Sequence, residues 1–195
     1  LKRLTNSKKS KKLIEKMNMY KEYLKGLENF KMKGDAELEI ENHKPFEYNP
    51  AEIDFMLLTH AHIDHSGKIP MLCKEGFKGE IICTFATADL CNIMLRDSAH
   101  IQEFEAEWRN RKARRSGAPL YEPMYTTQDA IDAIGLLSPV DYGQKIELCE
   151  GLWVRFNDIG HLLGSASIEV WIEEEGVSKK IVFSGDVGNI DQPII

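Results

Sequence analysis

The sequence predicts a layered α/β fold, and three observations carry this prediction. Short apolar runs typical of buried strands occur at residues 53–59 and 79–84. Two segments with helical spacing follow the second run, at residues 87–112 and 126–137. Residues 152–186 then turn to strand-like composition interrupted by glycine-bearing turns. Strands, then helices, then strands indicate layers of helix and sheet rather than a simple β-sandwich.

Length and composition suit one domain with a buried core. The chain has 195 residues, of which 43% are hydrophobic. No apolar run approaches the roughly 18 residues that a membrane-spanning helix needs, so we expect no membrane partner. The four cysteines form no C-x-x-C pair, which favours reduced thiols and a cytoplasmic location.

The first 33 residues differ in charge from the rest of the chain. They hold eleven Lys/Arg and three Glu, a net charge of +8, whereas residues 34–195 hold fourteen Lys/Arg and twenty-eight Asp/Glu, a net charge of −14. The lysines form either an arm that binds nucleic acid or the solvated face of an amphipathic helix. We therefore divide the chain into a basic amphipathic helical extension, residues 1–33, and a main domain, residues 34–195. The apolar positions that predict the helix follow a four–three–four–three spacing: Leu13, Met17, Tyr20, Leu24 and Leu27.

The first half of the main domain alternates strands and helices. Residues 53–59 form a buried strand, and a short helix that ends near Gly76 follows a histidine-rich segment. Residues 79–84 form the next buried strand. A long helix is predicted over residues 87–112, where apolar residues recur at helical spacing.

The second half begins with residues 109–123, which are basic and then bear glycine and proline, so they predict a linker. The stretch from Arg109 to Arg115 either contacts phosphate or forms a solvated helix end, where cations favour the helix dipole. Thr126 and Asp129 have the spacing of a capping box at the start of the next helix. Three strands are predicted after that helix: residues 152–160, 167–173 and 179–186.

The segment "LLTHAHIDHSGKIP", residues 57–70, carries three of the six histidines. In extended backbone, residues two apart point the same way, so His60 and His62 can converge on one metal ion. Asp64 and His65, where the chain turns, can face a second ion. Imidazole and carboxylate suit Zn²⁺, and also Mn²⁺ or Fe²⁺. Four polar neighbours in a surface loop are the alternative, but three histidines and an aspartate directly after a buried strand favour a metal site.

Two further residues fit the same site. His161, in "DIGHLLGSAS", and Asp186, in "FSGDVG", each lie just beyond a predicted strand and beside glycines. Taken alone, a loop histidine is more often structural or merely exposed, and an aspartate near glycine is more often a turn residue. With the first cluster, they supply a third histidine for one metal and a carboxylate that bridges both.

These motifs resemble the metallo-β-lactamase superfamily, whose His-x-His-x-Asp-His motif matches residues 60–65 and whose next two ligand positions match His161 and Asp186. The chain more narrowly resembles the β-CASP branch of RNA-processing nucleases, over roughly residues 45–190. The strings that carry the narrower resemblance are "THAHIDHSGKIPMLCKEGF", "FATADLCNIMLRDSAHIQ", "PMYTTQDA" and "GHLLGSASIEV". The resemblance implies an αβ/βα sandwich.

The resemblance also implies a two-zinc hydrolysis of RNA phosphodiesters. The ligands of the first zinc would be His60, His62 and His161. The second zinc would take Asp64 and His65, with Asp186 as the bridge. Asp64 would also hold the nucleophilic water, which makes it the candidate catalytic residue.

Departures from the family pattern predict an incomplete sandwich that lacks its first strands and its C-terminal half. We expect an N-terminal fragment, without a further metal-two histidine and the histidine that protonates the leaving group. We assign no role to His43 and His100. Two alternatives to a ribonuclease follow: a non-catalytic metal-binding fragment, and a hydrolase of small esters, thioesters or lactones. Any homodimer would form through the missing regions.

Overall fold

The structure is a computed structural model that describes residues 40–189. Two β-sheets pack face to face, and helices cover the outer face of the first sheet. These are the layers of the predicted sandwich, without a second helix layer among residues 40–189. The predicted extension, residues 1–33, lies outside the described part of the chain, so its boundary with the main domain stays a prediction.

The first sheet is parallel, and its strand order is the chain order. It consists of β1 (Phe55–Leu57), β2 (Glu80–Thr84) and β3 (Leu137–Val140). Parallel neighbours require crossover connections, and helices supply them here. A 3₁₀ helix, Pro50–Glu52, precedes β1. Four α-helices follow β1: α1 (Ile63–Ser66), α2 (Ile69–Lys74), α3 (Phe85–Ser116) and α4 (Thr127–Ile134).

The long helix α3 is longer than the sequence predicts. It begins after Thr84, whose hydroxyl accepts a hydrogen bond from a first-turn N–H, and ends before Gly117, whose φ is 69°. The linker predicted over residues 109–123 is therefore wrong in its first half. Residues 109–116 contain neither glycine nor proline, so nothing stops the helix before the left-handed glycine.

The capping box predicted for α4 is confirmed. Asp129 N–H donates to the Thr126 hydroxyl at 3.2 Å, and the Asp129 carboxylate accepts from Thr126 N–H at 2.8 Å. Both bonds satisfy donors that a helix start leaves unpaired.

The second sheet is antiparallel, and its strands again follow the chain order. The three predicted strands are confirmed, whereas β3 and the first strand of this sheet were not predicted. Pro139 lies within β3 and argues against a strand in the sequence, but β3 is an edge strand, where proline is tolerated. The strands of this sheet are β4 (Ile146–Cys149), β5 (Leu152–Asp158), β6 (Ala166–Glu174) and β7 (Val177–Phe183).

Strand β2 divides the core in two, because its side chains alternate between the faces of the first sheet. Ile81 and Cys83 point to the helices and pack in the larger cluster. Ile82 points the other way, against Phe156 and Ile168 of the second sheet. The two sheets therefore meet through an apolar interface, and this interface fixes their strand ends relative to one another.

The four cysteines all lie in the described part of the chain, and none of them forms a disulfide there. Among the helices of residues 40–189, none combines the length and the apolar character that a bilayer crossing requires.

Candidate metal centre

The candidate site lies where strands of both sheets end. His60 and His62 follow β1, His161 lies in the turn between β5 and β6, and Asp186 follows β7. The two sheets are joined at this point, since Ala166 N–H donates to the Thr59 carbonyl at 2.8 Å. The predicted residues, up to 126 positions apart in the sequence, are thus brought to one place.

Three imidazole nitrogens and one carboxylate oxygen converge on a common point. His62 Nδ1 lies 3.1 Å from His60 Nε2 and 3.1 Å from His161 Nε2. An oxygen of Asp186 lies 3.5 Å from His161 Nε2 and 3.9 Å from His60 Nε2. All four potential ligand atoms are within 4.8 Å of one another, and residues 40–189 contain one group of this kind.

This spacing fits a tetrahedral ion. Ligand nitrogens about 2.1 Å from a tetrahedral zinc lie about 3.4 Å from one another. Four of the six pairwise separations are 3.1–3.9 Å, which brackets that value, and all six are within 4.8 Å. The three ring nitrogens and the carboxylate oxygen face one another, and a cation at the centre would accept a lone pair from each of them. The donor set therefore fits a divalent metal ion.

Asp186 faces two groups with its two oxygens. Oδ2 points toward His60 and His161, whereas Oδ1 lies 3.4 Å from His65 Nε2. His65 Nε2 in turn lies 3.8 Å from Asp64 Oδ2. The structure thus places Asp64 and His65 beside the four-residue group but outside it, with Asp186 between the two sets.

Glycine allows Asp186 to approach so closely. Gly185 has φ of 60°, and a Cβ at this position would lie 2.9 Å from Thr59 Cβ. A larger residue would push the end of β7 away from the end of β1. The same Thr59 bonds its hydroxyl to His60 Nδ1 at 3.1 Å, which leaves Nε2 to face the centre.

His60 is the most buried member of the group, and its pKa is lowered. Its side chain is fully buried. Burial, and next the neighbouring histidines His65 and His62, lower the pKa of His60 to about 4, against the smaller effect of Asp186. His60 is therefore neutral at pH 7, which is the form that binds a metal.

A buried hydroxyl, that of Ser165, holds the turn that carries His161. Ser165 Oγ accepts hydrogen bonds from His161 N–H at 3.1 Å and from Leu162 N–H at 3.0 Å. Ser165 also offers its carbonyl to the Tyr142 hydroxyl at 2.8 Å. Ser165 therefore holds the turn at two points: its hydroxyl binds the two backbone N–H groups, and its carbonyl binds Tyr142 just before β6 begins.

Two threonines at the start of α3 hold the same turn from the other side. The hydroxyls of Thr84 and Thr87 donate to the Gly164 carbonyl at 2.6 Å and 2.9 Å. Gly164 has φ of 86°, and a Cβ there would lie 2.5 Å from Thr87 N. The turn thus sits directly on the helix start, and it has no space for a side chain at this position.

These supporting residues were missed in the sequence. Thr84 and Thr87 lie about 80 positions before the turn, and a threonine at a helix start already has a sufficient role as a cap. The glycine before Ser165 is the one local signal that a close backbone approach was needed. His43 and His100, to which no role was assigned, lie outside the candidate centre: His43 bonds the Tyr121 hydroxyl at 2.9 Å, and His100 is exposed on α3.

Comparison with known proteins gives one family and a consistent set of relatives. The family model of the metallo-β-lactamase superfamily matches residues 33–193. Ribonuclease TTHA0252 of Thermus thermophilus is 34% identical over 157 residues, which cover 80% of this chain and 31% of that ribonuclease. Transcription termination factor FttA of Methanococcus maripaludis is 32% identical, over 65% of this chain and 19% of the factor.

A third relative is an RNase J-like protein of Methanocaldococcus jannaschii. It is 31% identical over 135 residues, which cover 69% of this chain and 25% of that protein. The chain therefore spans less than a third of the length of each of these three relatives.

Proposed function

Because the chain belongs to the metallo-β-lactamase superfamily of hydrolytic metalloproteins, we propose that it carries the metal-binding part of a ribonuclease centre. The His/Asp group indicates divalent metal ions. We also propose that two zinc ions bind here, that the substrate is RNA, and that the basic extension ends at residue 33. Any homodimer would form through regions that this chain does not contain.

One observation carries the proposal: Asp186 stands between two sets of potential ligands, with one oxygen toward each set. We assign His60, His62 and His161 to a first ion, and Asp64 and His65 to a second. A carboxylate with this split is suited to bridge a pair of ions. Nitrogen-rich first sites favour Zn²⁺, whereas the oxygen-richer second set also accepts Mn²⁺ or Fe²⁺.

The bound ions would lower the pKa of a water and act as Lewis acids on a phosphoryl oxygen. The chain's own residues would orient that chemistry. Asp64 and Asp186 have side chains 48% and 46% exposed, whereas His60 is buried, so the centre opens to solvent on its carboxylate side. A substrate phosphate would therefore enter from that side. Asp64 would accept a hydrogen bond from a water molecule there.

RNA as the substrate class rests on the named relatives. One is called a ribonuclease and matches 80% of this chain. The strings that resemble the β-CASP branch lie within residues 33–193, the part that the family model matches. A second candidate is a metal-binding piece without turnover. The described residues offer the second ion one histidine, His65, and the chain spans a fraction of its relatives.

The test is to incubate the zinc-loaded 195-residue chain with end-labelled RNA, with and without chelator. A ribonuclease centre that is complete within this chain predicts chelator-sensitive cleavage, which is lost in Asp64→Asn and kept in Asp141→Asn. Asp141 is an exposed aspartate outside the candidate site, so it serves as the matched control. Metal binding without any turnover would leave the non-catalytic reading for this chain. Hydrolysis of ester or thioester substrates without RNA cleavage would refute the substrate class.

A further inference from the structure

The outer side of α3 carries a row of exposed apolar side chains. Ile93, Phe104 and Trp108 are 69%, 62% and 64% exposed, and Ile101 between them is 48% exposed. The opposite side of the same helix is buried in the core, through Leu95 among others. Single exposed apolar residues are ordinary, but four on one side of one helix mark a contact surface. We call these four residues the α3 row.

We propose that the α3 row is the docking site for residues 13–27 of the same chain, the segment predicted to be an amphipathic helix. The two apolar stripes have equal length. From Ile93 to Trp108 there are 15 helical steps and from Leu13 to Leu27 there are 14, about 22 Å and about 21 Å. Packing the two stripes together removes both from water, which neither can achieve alone.

The charges along the α3 row and the proposed partner have opposite signs. Residues 13–27 contain three lysines and two glutamates, a net charge of +1, and residues 85–108 of α3 contain five acidic residues and one arginine, a net charge of −4. The five basic residues of 109–116 follow the end of the row, and two of them, Arg109 and Arg111, pair with Glu105 and Glu107. Opposite signs along the row favour this pairing over one between two copies of residues 85–108, which would bring like charges together.

The described part of the chain begins close to the α3 row. His43 Nε2 bonds the Tyr121 hydroxyl at 2.9 Å, and the backbone of Tyr121 bonds the Asn110 side chain at 2.7 Å and 2.8 Å. Asn110 is two residues after Trp108. The connection from residue 28 to residue 39 can extend about 40 Å, so it reaches the α3 row without strain.

Photo-cross-linking tests this proposal on the full 195-residue chain. The photo-reactive Phe104→p-benzoylphenylalanine variant should form cross-links within one chain, to peptides from residues 13–27. The matched control is Val182→p-benzoylphenylalanine, at an exposed apolar position on β7, which should not reach that segment. Cross-links between two chains, cross-links elsewhere in the chain, or none would each overturn the assignment.

A second measurement removes the surface instead of probing it. Trp108→Asp should accelerate amide hydrogen exchange over residues 13–27 by about tenfold or more, because the docked helix opens. Val182→Asp, also at an exposed position, should leave that exchange unchanged. Protection of residues 13–27 that is insensitive to Trp108→Asp, or that arises on addition of RNA alone, would contradict docking on α3. Neither measurement depends on metal binding or on hydrolysis.

Discussion

Ser165→Ala removes the hydroxyl that holds the His161 turn and leaves the four candidate ligands in place. The side chain is fully buried, and its oxygen is the acceptor for two N–H groups, those of His161 and Leu162. Alanine fits the same space, since it is smaller by one atom. The substitution therefore isolates the two hydrogen bonds.

The magnitude follows from those two bonds. Each buried donor left without an acceptor costs about 1–3 kcal/mol. Both donors are only partly buried, so we take about 2 kcal/mol as the total loss in the free energy of unfolding without metal. Loss of a group that orients a metal ligand weakens metal affinity about 10- to 100-fold.

The assay combines urea unfolding of the metal-free chain with a zinc titration against a competing chelator. Ser167→Ala is the matched control, because Ser167 lies two residues further along on β6 and forms one long bond of 3.4 Å to the Asn157 carbonyl. We expect normal zinc affinity in the control. Wild-type zinc affinity in Ser165→Ala, whatever its stability, would refute the idea that this serine positions His161.

Three further changes have distinct readouts. His62→Ala should lower the bound metal by at least one equivalent, measured by elemental analysis, because the proposed first ion keeps two histidines. Phe156→Ala, in the apolar contact between the sheets, should lower the free energy of unfolding in urea by about 3–5 kcal/mol, with Val182→Ala as the exposed control. Glu169→Gln should destabilise the chain at pH 7. Hydrogen bonds from Lys180 first, and then from Asn157 and Arg155, lower the pKa of Glu169 to about 2. The carboxylate's contribution to the free energy of unfolding is therefore complete above about pH 4.3 and is lost as the pH falls toward 2.

Each of these has a clear contrary outcome. Unchanged metal content in the histidine variant would show that the cluster is not a ligand set. A loss below about 1 kcal/mol in the phenylalanine variant would mean that the sheets do not pack as described. A stability difference for the glutamate variant that stays constant between pH 6 and about pH 2 would assign the effect to shape rather than to charge.

The sequence predicted the parts of this fold that local chemistry decides. The Thr126–Asp129 box and the apolar strands each contain their own signal within a few residues. Pro139 concealed β3, because whether proline is tolerated depends on the strand lying at an edge, which is decided by the rest of the sheet. The predicted end of α3, at residue 112, is too early, because a run of basic residues is typical of a linker as well as of a helix. Arginine and lysine are good helix formers, and the helix continues to Ser116.

In the candidate site, too, some features can be predicted from local sequence and others depend on distant parts of the fold. The ligand types were visible because histidines and carboxylates cluster in recognisable motifs. The split of Asp186 between two sets, and the hold of Ser165 and Thr84 on the His161 turn, depend on how two sheets meet. No pattern along the chain records such contacts, because the partners lie far apart in sequence.

We propose that these strand ends assemble a metal centre around Asp186. Zinc-loaded crystals of the chain, measured on both sides of the zinc absorption edge, would show the ions themselves. We expect an anomalous peak about 2.0–2.2 Å from the nitrogens of His60, His62 and His161, and a second peak on the His65 side of Asp186. If the crystals contain zinc but no anomalous density lies between these side chains, the residues do not form a metal centre.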